Sequence, residues 1–260
     1  MTRLLRDVTE SGRLWRIWAF LAWEDIARQY RRSFLGPLWL TVNCAVLIFA
    51  FGYIWSELFK YPIKEYLPYV AAGHVAFSFL NACIIESTTL FSANEAFLKQ
   101  LPIPKTGFAV RLVTRNLIIL AHNLPVLLIA LYWFDVKLGA DWWLSLVALV
   151  ITVFNAILVG ASLGALCARF RDVPMIISNL MQVLFFVTPI LWKPEQLGER
   201  ARLIVDINPL AAFLQILRNP ILGLPIPDHV WLFVGATTCV SIALFVFGFG
   251  WSRRRLVYWL

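Results

Sequence analysis

The chain has 260 residues, of which 60% are hydrophobic and only 15% charged, with mean hydropathy +0.75 and net charge +8. Globular domains average about 45–50% apolar and about 25% charged residues, so one water-soluble core cannot hide this apolar excess. The positive charge sits in loops and tails beside long apolar runs, which excludes a nucleic-acid interface in favour of a membrane-flanking role. Cys44, Cys83, Cys167 and Cys239 all fall in apolar segments and the three histidines are scattered, so neither a disulfide frame nor a metal site is expected.

Residues 1–36 are charged and amphipathic, without the apolar core or cleavage site of a signal peptide, so targeting is expected from the first span. Within them, residues 13–32 place Trp15, Ala19, Trp23, Ile26 and Tyr30 on one helical stripe. Arg16, Glu24, Arg28 and Arg31 fall largely away from it. This predicts a helix lying in the inner membrane interface, indoles at headgroup level and guanidinium groups toward lipid phosphates or a partner.

Apolar runs then predict six spanning helices at 37–58, 67–92, 106–134, 142–168, 174–192 and 229–251, the fifth only just long enough to cross about 30 Å of hydrocarbon. Period-two alternation is missing, which excludes a barrel. With the N-terminus inside, 16 of the 23 Lys and Arg residues lie on the cytoplasmic side, among them Lys105, Arg111, Arg115 and Arg253 to Arg255. Both termini are therefore expected to be cytoplasmic. The long external segment 193–228 carries Pro194, Pro209, Pro220, Pro225 and Pro227 between apolar stretches, which predicts short helices re-entering the membrane against protein. The organisation expected is an all-α membrane protein: a cytoplasmic tail with interface helix over 1–36, then a single transmembrane domain over 37–260.

A G-x-S-x-G pentad, Gly160 to Gly164, invites comparison with a nucleophile elbow, which needs a strand–turn–helix context. Here it lies deep in a span, and Ala156, Gly160, Gly164 and Ala168 repeat every four residues, the small-xxx-small pattern of close helix packing. No Walker-type phosphate cradle occurs, so any ATP that drives this chain is bound by another polypeptide. In the fifth span Asn179, Gln182, Phe186 and Pro189 share a face that either lines a pathway or joins helices by hydrogen bonds. Glu86, on a stripe with Ser78, Ala82 and Thr89, either faces a pathway or pairs with Arg111 or Arg115. Asn116 and Asn123 read as helix glue. The 12 Trp and 20 Phe suit both interfacial belts and an aromatic conduit for sugar rings.

Four segments resemble the permeases of ABC exporters for O-antigen, capsule and teichoic acid. Tyr30-Arg31-Arg32-Ser33-Phe34-Leu35-Gly36-Pro37-Leu38-Trp39 is similar to the family's lead into the first span. Arg171-Asp172-Val173-Pro174 resembles its cytoplasmic turn before the fifth, Thr188-Pro189-Ile190-Leu191-Trp192 its exit, and Asn208-Pro209-Leu210 an external element. Each motif alone is weak; the four in order cover nearly the whole chain.

The resemblance implies a homodimer around a central conduit in a bacterial inner membrane, with two copies of a cytoplasmic ATPase that hold ATP and magnesium; this chain binds no cofactor and is no enzyme. The substrate implied is an undecaprenyl-type lipid-linked polysaccharide, O-antigen ahead of capsule and then teichoic acid. By the same analogy Glu24, Arg28, Asn94, Glu95, Lys99, Arg169, Arg171 and Asp172 couple to the ATPase, with a coupling helix near 94–100. Arg28, Arg31 and Arg32 guide substrate phosphate or attract lipid headgroups. Trp39, Phe51, Trp55, Asn179, Gln182 and Phe186 line the conduit, and Pro189, Trp192, Asn208 and Pro209 belong to an external gate. A related exporter for a drug or lipid is the alternative. A membrane enzyme lacks convergent Ser, His and Asp at one depth, and a secondary transporter lacks a second broken region.

Overall fold

A computed structural model describes residues 2–194 and 198–260, and every regular element among them is helical. Helix α1 (Thr2–Arg13) extends regular structure into a stretch expected to be only a tail, and a break at Leu14 separates it from α2 (Trp15–Gln29). The chain then turns through Gly36 at φ +56°, a left-handed conformation open to glycine at little cost. Pro37 follows at φ −62°, already set for the first turn of α3 (Leu38–Phe59). Backbone geometry thus accounts for the Gly-Pro pair.

Next come α4 (Ile63–Ser87), a 3-10 turn (Ser92–Asn94), α5 (Glu95–Gln100), α6 (Thr106–Trp133) and α7 (Leu144–Arg169). They are followed by α8 (Val173–Val187), α9 (Glu199–Asp206), α10 (Pro209–Arg218), α11 (Asp228–Ser252) and α12 (Leu256–Trp259). Helices α3, α4, α6, α7 and α11 are long and apolar enough to cross a membrane, each within a few residues of an expected span. The protein is a multi-pass membrane protein. The expected fifth span is instead α8, whose 15 residues reach about 22 Å at 1.5 Å per residue before the backbone turns extended at Thr188. Within the proline-rich segment, Asn208 caps α10 by accepting from the Leu210 N–H (3.0 Å), and Pro209 occupies the first turn.

Helix α4 is the centre of the bundle, packing against α3, α6, α7, α8 and α10. Its apolar window is 67% buried, against 17% for α3 and 22% for α11, which keep broad apolar faces for lipid or another chain. The α4–α7 seam explains the glycine pentad. A methyl on Gly160 would sit 2.7 Å from Ser87 Oγ, and one on Gly164 3.0 Å from Leu90 Cβ. Ser162 donates to Leu158 O at 2.8 Å in its own helix. The pentad is a packing surface.

Candidate functional site

At one end of the bundle, α2 lies on α6. Trp18, Ala22 and Ile26 are buried there, while Trp15 and Trp23 stay 59% and 48% exposed. The stripe read from sequence thus faces outward, and a second one, sharing Ile26, makes the contact. The Trp18 ring centroid is 5.8 Å from that of Phe108, and the ring lies so close to Gly107 that a Cβ there would overlap it. Asp25 locks the pair: Arg111 donates to it through Nε (2.8 Å) and Nη2 (2.5 Å), and Nη1 reaches Asn94 Oδ1 at 3.4 Å. A bidentate guanidinium–carboxylate pair fixes orientation as well as distance.

The coupling-helix residues occupy α5 and its lead-in. Glu95 pairs with Lys99 along one helix face (2.5 Å). Leu98 is buried, whereas Phe97 and Leu101 stay 52% and 50% exposed, so a small apolar edge faces outward. Glu24 and Arg28 pair with each other at 3.5 Å, and Arg31 and Arg32 are exposed just beyond α2. Arg169 is held by its own chain, its guanidinium over the rings of Phe170 (5.1 Å), Trp259 (5.3 Å) and Trp251 (5.8 Å). Arg171 and Asp172 are exposed in the following turn.

Asp7 of α1 caps α6. Its carboxylate accepts from the Lys105 and Thr106 N–H groups (3.0 Å each) and from Thr106 Oγ1 (2.5 Å), where the helix dipole favours an anion. Arg253 Nη1 approaches Asp7 at 3.4 Å, and Lys105 Nζ donates to Arg253 O at 2.5 Å. Burial pushes the Lys105 ammonium below its ordinary range, Asp7 opposing and Arg253 reinforcing the change. Deeper in, Glu86 pairs with Arg115 and accepts from Asn116 Nδ2 (2.6 Å), joining α4 to α6. The pairing alternative for Glu86 is the one the structure contains.

The expected conduit residues fall in two places. A groove of about 450 Å³ between α4 and α8 is lined by Phe77, Asn81, Ile85, Ser178, Gln182 and Phe186. Gln182 and Phe186 share the exposed face of α8 with Asn179. Phe51 reaches this region through Phe185 (6.3 Å between centroids), and Trp55 stacks near Phe59 (5.3 Å) toward the end of α3. Trp39, 46% exposed, stands at the other end of α3, away from the groove.

At the opposite end of α4 the stretch after α8 is tightly held. Tyr66 Oη donates to Leu191 O, and Tyr69 Oη to Trp192 O (3.1 Å) and Pro189 O (3.3 Å). Arg218, 2% exposed, donates to Pro189 O at 2.6 Å and lies 4.0 Å over the Tyr69 ring. Asn208 Nδ2 ties Thr188 Oγ1 at 2.9 Å, and Trp192 Nε1 returns to Phe186 O at 2.9 Å. Asn208, which with Pro209 opens α10, is thus tied to the stretch that holds Pro189 and Trp192. Sequence reasoning missed Tyr66, Tyr69 and Arg218; it counts Arg218 only toward the charge balance. A lone arginine in an apolar run, Leu210–Leu217, was the available signal.

A family model described as "ABC-2 type transporter" matches residues 17–222. The chain belongs to the ABC-2 type transporter family. The matched region runs from α2 to just beyond α10 and so holds the α2–α6 contacts, the groove and the clamp after α8. Curated relatives of this ABC-2 chain include an O-antigen export system permease protein RfbA of Klebsiella pneumoniae, 21% identical over 242 residues, covering 90% of this chain and 92% of that protein. A second protein of the same name and organism is 23% identical over 78% of this chain and 79% of its own length. One from Myxococcus xanthus is 23% identical over 82% of each. The ABC-2 chain is accordingly an ABC transporter permease, a transport subunit rather than an enzyme.

Proposed function

We propose that this permease exports a lipid-linked polysaccharide of the undecaprenyl type, O-antigen ahead of capsule and teichoic acid, across a bacterial inner membrane. It works as a homodimer with two copies of a separate cytoplasmic ATPase, which hold the ATP and magnesium, while this chain binds no cofactor. The observation that carries the reading is the outward amide-and-aromatic face of α8, Asn179, Gln182 and Phe186, in a chain similar over 90% of its length to an O-antigen export permease. Amides donate and accept toward hydroxyl groups, and aromatic rings stack on the C–H faces of sugars; lipid demands neither.

In this reading residues 37–260 form one transmembrane domain whose fifth crossing is α8 together with the non-helical stretch 188–192. Both termini are cytoplasmic, and α9 and α10 are gate helices set back into the outer membrane face. Phe51, Trp55 and Trp39 line the conduit along α3, whose apolar outer face has room for the second copy. The ATPase meets α5, α2 and the Arg171–Asp172 turn, through Glu24, Arg28, Asn94, Glu95 and Lys99. Closure of the ATPase pair pushes α5 and α2, Asp25–Arg111 passes the movement to α6, and the groove widens. Arg28, Arg31 and Arg32 receive the pyrophosphate at the inner rim by charge-assisted hydrogen bonds.

Depleting the chain from its native host tests the substrate. Loss of surface glycan, with lipid-linked glycan accumulating in the inner membrane, is the expected result. Unchanged surface glycan with altered drug or lipid efflux overturns it.

A further inference from the structure

Residues 253–260 follow the last span and carry none of the four motifs, yet they meet four other elements, α1, α5, α6 and α7. Leu256 is fully buried in one apolar cluster with Leu4 of α1, Leu98 of α5 and Phe108 of α6. Helix α12 packs on both α5 and α7. Arg253 meets Asp7 through its guanidinium and Lys105 Nζ through its carbonyl. Trp259 and Trp251 flank Arg169, and the Arg255 guanidinium lies 4.4 Å from the Trp251 ring centroid.

Helix α5 has six residues, buries only Leu98, and is followed by a loop containing Pro102 and Pro104. So short a helix is marginal by itself. A push on its exposed edge bends it locally unless something rigid stands behind it. The segment behind it is α12, and what anchors α12 at its far end is Arg169, solvent-exposed but set against the rings of Trp259, Trp251 and Phe170.

We infer that residues 253–260 are a strut fixing α5 against the turn at Arg169, and that Arg169 is a positioning residue acting through Trp259 rather than a contact to a partner. The functional consequence rests on the export reading; the strut itself does not. Its load is mechanical: with it, movement of α5 carries α1, α6 and α7 together, and without it α5 moves alone.

Two measurements test this. Spin labels at Phe97→Cys and Tyr258→Cys, both exposed positions, in a Cys239→Ser background report the α5–α12 distance in the purified chain with no ATPase present. The parent gives a narrow distribution. Arg169→Ala and Trp259→Ala lose that narrow component, and Arg169→Lys and Trp259→Phe retain it, in samples that remain monodisperse. In the complete transporter, Arg169→Ala lowers export about tenfold while the ATPase stays bound and hydrolyses ATP. A narrow distribution kept in Arg169→Ala overturns the strut. Loss of ATPase binding in Arg169→Ala but not in Trp259→Ala overturns it too, making Arg169 a direct contact. If the export reading is wrong, surface glycan does not depend even on the parent chain, and the distance measurement still decides the strut.

Discussion

Gly107 stands in the first turn of α6 with the buried Trp18 ring where its side chain would be. A rigid indole cannot swing aside as a lysine tip can, so a methyl group there must push α2 off α6. Overpacking of this kind costs about 1–3 kcal/mol. Gly107→Ala should lower the detergent-solubilised melting temperature and raise proteolysis within residues 14–36, whereas Gly12→Ala, which has open space, should do neither. Equal behaviour of the two variants would remove the close contact from the account. The Asp25–Arg111 pair is a second residue-scale case, with side chains 21% and 18% exposed. Partial burial strengthens the pair but leaves solvent screening, so a double-mutant cycle of Asp25→Asn and Arg111→Met should give a coupling of about 1–2 kcal/mol. A coupling near zero would mean the pair merely coexists. Neither contact is legible in the sequence, because each joins positions more than eighty residues apart; Gly107 in particular shows only as a helix-weakening residue.

Among the elements, the long spans are the legible ones. Hydropathy over eighteen or more residues is a local property, and α3, α4, α6, α7 and α11 begin and end close to where it places them. Helix α1 is hidden because Thr2 to Arg13 is polar in composition, and its anchors, Leu4 and Asp7, find their partners in α5, α6 and the C-terminus. The length of α8 is hidden for another reason. Hydrophobicity continues to Trp192, but Pro189 and the carbonyls taken by Tyr66, Tyr69 and Arg218 hold residues 188–192 out of helical geometry. That clamp yields a prediction at its own scale. Tyr66→Phe keeps the ring, which stacks on Tyr61 at 5.8 Å, and removes only the donor to Leu191 O. The change should destabilise by about 1 kcal/mol and speed hydrogen exchange selectively within 188–192. Uniform exchange across the chain would show that Tyr66 supports the fold and not the clamp.

Over the whole molecule, the architecture places a mixed apolar and amide-bearing groove between α4 and α8, with the α2–α6 ion pair toward one end of the bundle and the clamp on residues 188–192 toward the other. The four motifs lie toward the ends of the bundle, and the structure adds what connects the helices there: α6 to α2 through Arg111, α4 to α6 through Glu86, and α4 to the stretch after α8 through Tyr66 and Tyr69. No phosphate cradle exists anywhere in the sequence. Under the export proposal, ATP is hydrolysed by a separate subunit that engages α5 and α2. The direct test is purification of the chain from its native membrane in mild detergent, with mass spectrometry and an ATPase assay of the product. The account predicts a stoichiometric partner bearing a Walker motif and ATP hydrolysis that is lost when Phe97 and Leu101 of the α5 edge are both changed to Asp. A chain that purifies alone and inactive, from membranes in which it is demonstrably folded, would contradict it.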